Sequence, residues 1–140
     1  MIMGKTRFAP RLHDEWCQLR QWYQTPLGQR FYASELASLS SILPLLFGYH
    51  LLTVGTPVQG ALISSPTRHQ YHLDYYSSPR MGSVAKPHAL GWASALPVAS
   101  DSVDVLVLSH VFEVDPAPDA ILAEVERVLI PEGHVVILGF

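Results

Sequence analysis

The chain has 140 residues, of which 49% are hydrophobic, and a formal net charge of −3. This length suits one domain that buries its own core. Its nine basic residues, set against twelve acidic ones, exclude the dense basic surface typical of nucleic-acid binding, and we expect no nucleic acid among its partners.

The N-terminal residues 1–16 lack the continuous apolar core of a secretory signal, and we expect them to form a short mobile lead. The most apolar window, residues 42–55, is interrupted by Pro44, Gly48 and His50. It is shorter than the roughly 20 apolar residues that cross a bilayer, so we predict no membrane span. The single cysteine leaves no pair for an internal disulfide and favours a cytoplasmic location.

Two helices are predicted ahead of the first strand. Apolar and aromatic residues recur three and four positions apart from Leu12 to Tyr23. A second helix starts at Thr25, with Pro26 in its first turn, and is disrupted at Pro44. We therefore divide a single domain into an N-terminal helical segment, 1–48, and an α/β core, 49–140.

Short apolar runs separated by turn residues then predict five strands. They cover residues 50–54, 69–74, 87–92, 103–111 and 133–140. Between the last two strands, residues 115–130 predict a helix that Asp115 caps and the sequence Pro-Glu-Gly at 131–133 ends. Two apolar strands joined by a helix indicate a parallel, right-handed unit.

The second half of the chain carries a specific combination of motifs. Residues 95–98 read Ala-Leu-Pro-Val, residues 102–105 read Ser-Val-Asp-Val, residues 110–114 read His-Val-Phe-Glu-Val, and residues 127–133 read Arg-Val-Leu-Ile-Pro-Glu-Gly. In this order and spacing, the region from residue 89 to 140 resembles the class I S-adenosylmethionine-dependent methyltransferase family. The resemblance implies a Rossmann-like, mostly parallel sheet, here with strands one to five only.

The resemblance also implies which positions contact the cofactor S-adenosylmethionine. Asp74, at the end of the second strand, corresponds to the acid that holds the ribose hydroxyls. Trp92 stands where the family places the acid that contacts adenine, and it offers a stacking face instead. The implied cofactor-binding residues are Gly55, Asp74, Trp92, Ala93, Ser109 and His110. We also take His110 as the candidate catalytic base.

The loop after the first strand departs from the glycine-rich family pattern. It keeps Gly55 but has Thr53 for the acid, Pro57 for the second glycine and Gln59 for the third. Side chains at the last two positions hinder close approach of the backbone to a ligand. Two hypotheses follow: a methyltransferase for a small-molecule or other acceptor, and an inactive methyltransferase-like binding or scaffold protein. For Gly55, a purely structural role as a strand-ending glycine also stays open.

Two other interpretations of polar residues, a metal site and a serine hydrolase, have less support in the sequence than the methyltransferase resemblance. In the predicted second strand His72 and Asp74 share one face, but His69 points to the other. With no third nitrogen ligand fixed nearby, we predict no metal site. Ser109 and His110 lack the glycine-flanked turn of a serine hydrolase.

The chain stops at Phe140, in or just after the fifth strand. Family members continue with two more strands beside it, so an apolar strand edge is exposed. We expect either a truncated piece of a longer protein or a homodimer that forms through this edge.

Overall fold

The computed structural model describes residues 2–76 and 89–140, without the side chains of residues 2–11 and Gln59. Five helices, α1 to α5, and five strands, β1 to β5, occur in these ranges. The helices are α1 Ile2–Tyr23, α2 Pro26–Ile42, α3 Gln59–Leu62, α4 Val111–Val114 and α5 Pro118–Val128. The strands are β1 His50–Gly55, β2 His69–Asp74, β3 Ala89–Leu90, β4 Val103–Ser109 and β5 Leu129–Leu138.

The strands form one sheet in the order β3-β2-β1-β4-β5, with every neighbouring pair parallel. The predicted α/β sheet of five strands, preceded by two helices, is confirmed. The two central strands β1 and β4 are almost entirely buried, as expected for parallel strands covered on both faces. Their carboxyl ends therefore lie together at one edge of the sheet.

Alternate residues of the central strands pack into two separate cores. Leu52, Val54, Leu106 and Leu108 face one core, together with residues of α1 and α5. Leu51, Val105 and Val107 face the other core, together with residues of α2 and α3. Thus α1 is held on the sheet by buried side chains of its own, of which Leu12 and Trp16 are the clearest.

The N-terminal helix is longer than predicted. Residues 1–16 were expected to form a mobile lead, but α1 already begins at Ile2. The second helix starts as predicted: the amide of Gly28 donates to the Thr25 hydroxyl over 3.1 Å, with Pro26 in the first turn. It ends at Ile42, followed by a short 3-10 turn, Leu43–Leu45.

Several predicted boundaries shift at the C-terminal end. The β4 strand ends at Ser109, because His110 takes a left-handed conformation with φ 58°. The last helix is capped at Ala117, not at Asp115, and it ends at Val128. Strand β5 starts four residues earlier than expected because an irregularity in its register with β4 accommodates residues 131–133. Of the third strand, predicted over 87–92, positions 87 and 88 lie outside the described residues.

Two negative findings hold for the described ranges. No helix there is long and apolar enough to cross a membrane. Nor do three or more His, Cys, Asp or Glu side chains in those ranges gather in a way that could hold a metal ion.

Candidate functional site

The sheet places four of the six predicted cofactor-binding residues at the carboxyl ends of its strands. Gly55 ends β1, Asp74 ends β2, and Ser109 with His110 ends β4. Clefts at this edge of parallel α/β sheets are the usual ligand sites of such folds. The parallel register sets Gly55 opposite Ser109, so these two lie side by side.

Gly55 is required by the backbone itself. Its φ is +109°, and a Cβ at this position would lie 2.1 Å from the carbonyl oxygen of Ser109. Only glycine meets both conditions. The Ser109 side chain is fully buried, and its hydroxyl is hydrogen-bonded to that of Thr56. Both residues therefore have a structural function that does not need a ligand.

Asp74 is hydrogen-bonded within the protein through both of its carboxylate oxygens. Arg20 of α1 donates to Oδ2 over 2.5 Å. The indole N–H of Trp16 donates to Oδ1 over 3.0 Å, and the backbone amide of Tyr75 donates to the same oxygen over 2.7 Å. Because Asp74 is only 1% exposed, these donors take the place that water or a ligand hydroxyl would otherwise have.

Tyr75 fills the space between α1 and the segment after β3. Its ring stacks on Trp16 and on Trp92, with centroid distances of 5.2 and 5.9 Å. Its hydroxyl donates to Asp115 Oδ2 over 2.6 Å and accepts from the amide of Ala93 over 3.1 Å. Burial, reinforced by Asp115, raises the pKa of Tyr75 above its ordinary value, which keeps the hydroxyl protonated. Trp92 thus stacks on a side chain of the same chain, and its predicted contact with adenine stays a prediction.

His110 is the centre of a buried polar group. Nδ1 lies 2.9 Å from Glu113 Oε2, and Nε2 lies 2.9 Å from Glu35 Oε2. The Tyr23 hydroxyl lies 2.6 Å from Nε2 and donates to Glu35 Oε1 over 2.7 Å. We call Tyr23, Glu35, His110 and Glu113 the histidine cluster. The ring of Phe140 packs against His110 with a centroid distance of 4.6 Å.

The two carboxylates determine the protonation state of His110. Burial alone would lower the pKa of His110, but the hydrogen bonds and charges of Glu113 and Glu35 outweigh it and raise the pKa to about 9. With both ring nitrogens facing carboxylates, the imidazolium donates to both. At pH 7 His110 is therefore a proton donor in this arrangement and does not have the lone pair of a general base.

Sequence reasoning missed the contribution of α1 to this site. Trp16, Arg20 and Tyr23 are spaced four and three residues apart, so they share one helix face. The apolar stripe predicted for this helix includes Trp16 and Tyr23 but gives no role to Arg20. An arginine at a stripe position is the signal that could have indicated a buried acidic partner.

As arranged, these residues do not fit an adenosyl group. The carboxylate that the resemblance assigns to the ribose is saturated by α1 and Tyr75. The amide of Ala93, in the segment assigned to adenine, is bonded to Tyr75. Asp74 and Ala93, which the resemblance assigns to the cofactor, are instead hydrogen-bonded to other residues of the same chain.

Part of the sequence matches a known family model, and the fold is shared with solved structures. Residues 72–137 match a family model described as a methyltransferase domain. The fold is similar to that of phosphoethanolamine N-methyltransferase 1 from Haemonchus contortus, with a TM-score of 0.67 and 18% identity over 90% of this chain and 31% of that one. Residues 72–137 are thus similar to a methyltransferase domain, and the sheet with its flanking helices has the Rossmann-like fold of class I methyltransferases.

Two further similar proteins limit what this similarity implies about function. The Escherichia coli protein YafS is 28% identical over 120 residues, which are 85% of this chain and 47% of YafS. This chain thus spans about half the length of that relative. The cyclase SpnF has a similar fold, with a TM-score of 0.56 and 20% identity over 74% of this chain and 44% of SpnF. Because such a fold also occurs in a protein named as a cyclase, it does not define the reaction.

The raised pKa of His110 predicts a pH-dependent stability. A folded-state pKa of about 9, against an ordinary 6.5, means that the folded protein binds the proton more tightly. The resulting stabilisation is complete below about pH 6.5 and is lost as the pH rises through about 9. We predict that the free energy of unfolding of the wild type falls by about 1–3 kcal/mol across this interval relative to His110→Asn. Urea denaturation at several pH values measures this difference.

Asparagine is the suitable replacement because it tolerates the left-handed backbone of His110. The matched control is His134→Asn on β5, where the histidine is exposed, and it should keep the wild-type pH dependence. An equal decline in His110→Asn and the wild type would contradict the assignment to His110.

Proposed function

We propose that the chain is a methyltransferase that uses S-adenosylmethionine and acts on a small-molecule acceptor. The observation that carries this proposal is the histidine cluster, a set of hydrogen-bonded titratable side chains at the carboxyl end of β4. S-adenosylmethionine, when bound, supplies a methyl group activated by a positively charged sulfur. The protein then has only to position the acceptor and manage its proton.

Within the histidine cluster we assign His110 a catalytic role together with Glu35. The imidazolium holds Glu35 in place through Nε2, and Tyr23 donates to the other oxygen of Glu35. Glu35 is the group of this pair that can accept a proton from an O–H or N–H acceptor. His110 thus acts as a donor that orients the carboxylate. Its raised pKa argues against the role of general base that the sequence analysis assigns to it.

A second candidate function is a binding or scaffold protein without activity. It is supported by the altered loop after β1, where Pro57 replaces a glycine and its carbonyl accepts from the Tyr32 hydroxyl of α2 over 3.0 Å. It is also supported by the saturation of Asp74. Under this alternative, the contacts of α1 and α2 at the cleft are permanent.

We also propose that residues 1–48 and 49–140 form a single domain. The buried contacts of α1 with Asp74 and of α2 with His110 cross this boundary.

A cytoplasmic location remains our proposal, supported by the single cysteine.

Titration calorimetry with S-adenosylmethionine and S-adenosylhomocysteine tests the cofactor proposal. We predict measurable binding to the wild type, and tighter binding to the double variant Pro57→Gly, Gln59→Gly, because glycines allow closer backbone approach. Pro66→Gly, an exposed position away from the cleft, is the matched control and should leave the affinity unchanged. If neither the wild type nor the double variant binds, the scaffold function replaces the methyltransferase proposal.

The outer edge of β5 supports the proposal of a homodimer. In the parts of the chain that the structure describes, β5 pairs with β4 but no strand pairs with its other edge. Val135 and Ile137 of this strand are 38% and 50% exposed. Unpaired backbone groups beside apolar side chains favour association with another strand.

Sedimentation velocity across a concentration series tests the dimer. We predict a concentration-dependent dimer for the wild type and a monomer for Ile137→Lys, because a charged side chain on an edge strand opposes pairing. Leu122→Lys, at an exposed position of α5, is the control and should dimerise like the wild type. A monomeric wild type at high micromolar concentration would remove the proposal.

A further inference from the structure

We propose that α1 is an internal latch that closes the cofactor cleft, and that Arg20 and Trp16 must leave Asp74 before an adenosyl ligand can bind. This inference rests on the proposed function for the identity of the ligand. Its structural basis is that the predicted recognition groups are engaged by side chains of the same chain.

The latch competes for the same atoms as the ligand. A ribose needs the Asp74 carboxylate as a hydrogen-bond acceptor, but Arg20 is 2.5 Å from one oxygen, and Trp16 and the Tyr75 amide bond the other. The side chains of Arg20 and Asp74 are 9% and 2% exposed. A carboxylate with these partners, so thoroughly buried, has no face left for a second ligand.

The aromatic contacts extend the closure beyond Asp74. Trp16 stacks on Tyr75, and Tyr75 stacks on Trp92. The Tyr75 hydroxyl also accepts the hydrogen bond of the Ala93 amide. Withdrawal of α1 removes one side of this stack, while the Tyr75 hydroxyl keeps its bonds to Asp115 and Ala93. One helix therefore covers the position assigned to the ribose and packs on the ring that borders the segment assigned to adenine.

The end of α1 also reaches the histidine cluster. Tyr23, the last residue of the helix, donates to Glu35 and lies 2.6 Å from His110. Release of the latch would thus loosen the donor that holds Glu35. Cofactor entry and the freeing of the proposed proton acceptor become a single event.

The affinity for an adenosyl ligand then depends on how often the latch is open. When only a fraction of molecules is competent to bind, the apparent dissociation constant is the intrinsic one divided by that fraction. A variant that weakens the latch raises the open fraction and tightens binding by the same factor. A variant away from the contacts of α1 leaves the open fraction and the affinity unchanged.

Two measurements on the 140-residue chain test the latch. The variants are Arg20→Gln and, as a milder change, Trp16→Phe, which keeps an aromatic ring but loses the N–H donor. The control Arg30→Ala removes an exposed arginine from α2. Amide hydrogen exchange over residues 12–23 without ligand reports opening of α1, and titration with S-adenosylhomocysteine reports access to the cleft.

We expect both variants to exchange faster over residues 12–23 and to bind S-adenosylhomocysteine more tightly, by about fivefold or more for Arg20→Gln, with Arg30→Ala like the wild type. If Arg20→Gln fails to fold, Trp16→Phe alone decides. Unchanged exchange in the folded variants overturns the latch whatever the ligand does. Equal affinity for wild type and variants overturns it while the cofactor proposal stands. Faster exchange without binding in any form overturns both.

Discussion

The buried ion pair between Arg20 and Asp74 is the interaction on which the arrangement at the carboxyl ends of the strands depends. A buried carboxylate is stable only if each of its oxygens has donors, and here α1 supplies two of them. The same contacts fix α1 across the carboxyl ends of the strands, where Trp16 packs on Tyr75 and Tyr23 reaches His110. Without Arg20, Asp74 would be a charge in the protein interior with too few partners, and the helix would lose its main polar anchor.

This constraint explains how the fold keeps the polar residues that the resemblance assigns to cofactor binding while the protein's own side chains engage them. The sheet order, Asp74 at the end of β2 and the polar cluster after β4 are all present. In this structure the donors to the Asp74 carboxylate come from the protein itself and not from a ligand. Buried polar groups require partners in every state of a protein, so a cleft that exchanges α1 for a ligand would keep them satisfied in both states. The two candidate functions therefore differ in whether that exchange takes place.

The sequence was most informative where the pattern of the backbone decides the structure. Parallel strands, the start of α2 at Thr25 and the gathering of Gly55, Asp74 and Ser109 at one edge follow from apolar runs, capping residues and topology. It was least informative about partners far apart in the chain. The contact of Arg20 with Asp74 joins positions 54 residues apart, and no periodicity encodes such a pairing. Likewise, a strand was predicted through His110, which instead takes a left-handed conformation and contacts carboxylates from two different helices.

A double-mutant cycle between Arg20 and Asp74 is the most direct measurement of the central claim. The free energies of unfolding of the wild type, Arg20→Gln, Asp74→Asn and the double variant give the coupling between the two side chains. We predict a coupling of about 2 kcal/mol or more, because each single change leaves a buried group without its partner. A coupling within about 0.5 kcal/mol of zero, the range for independent sites, would contradict the claim that this pair holds α1 over the cleft.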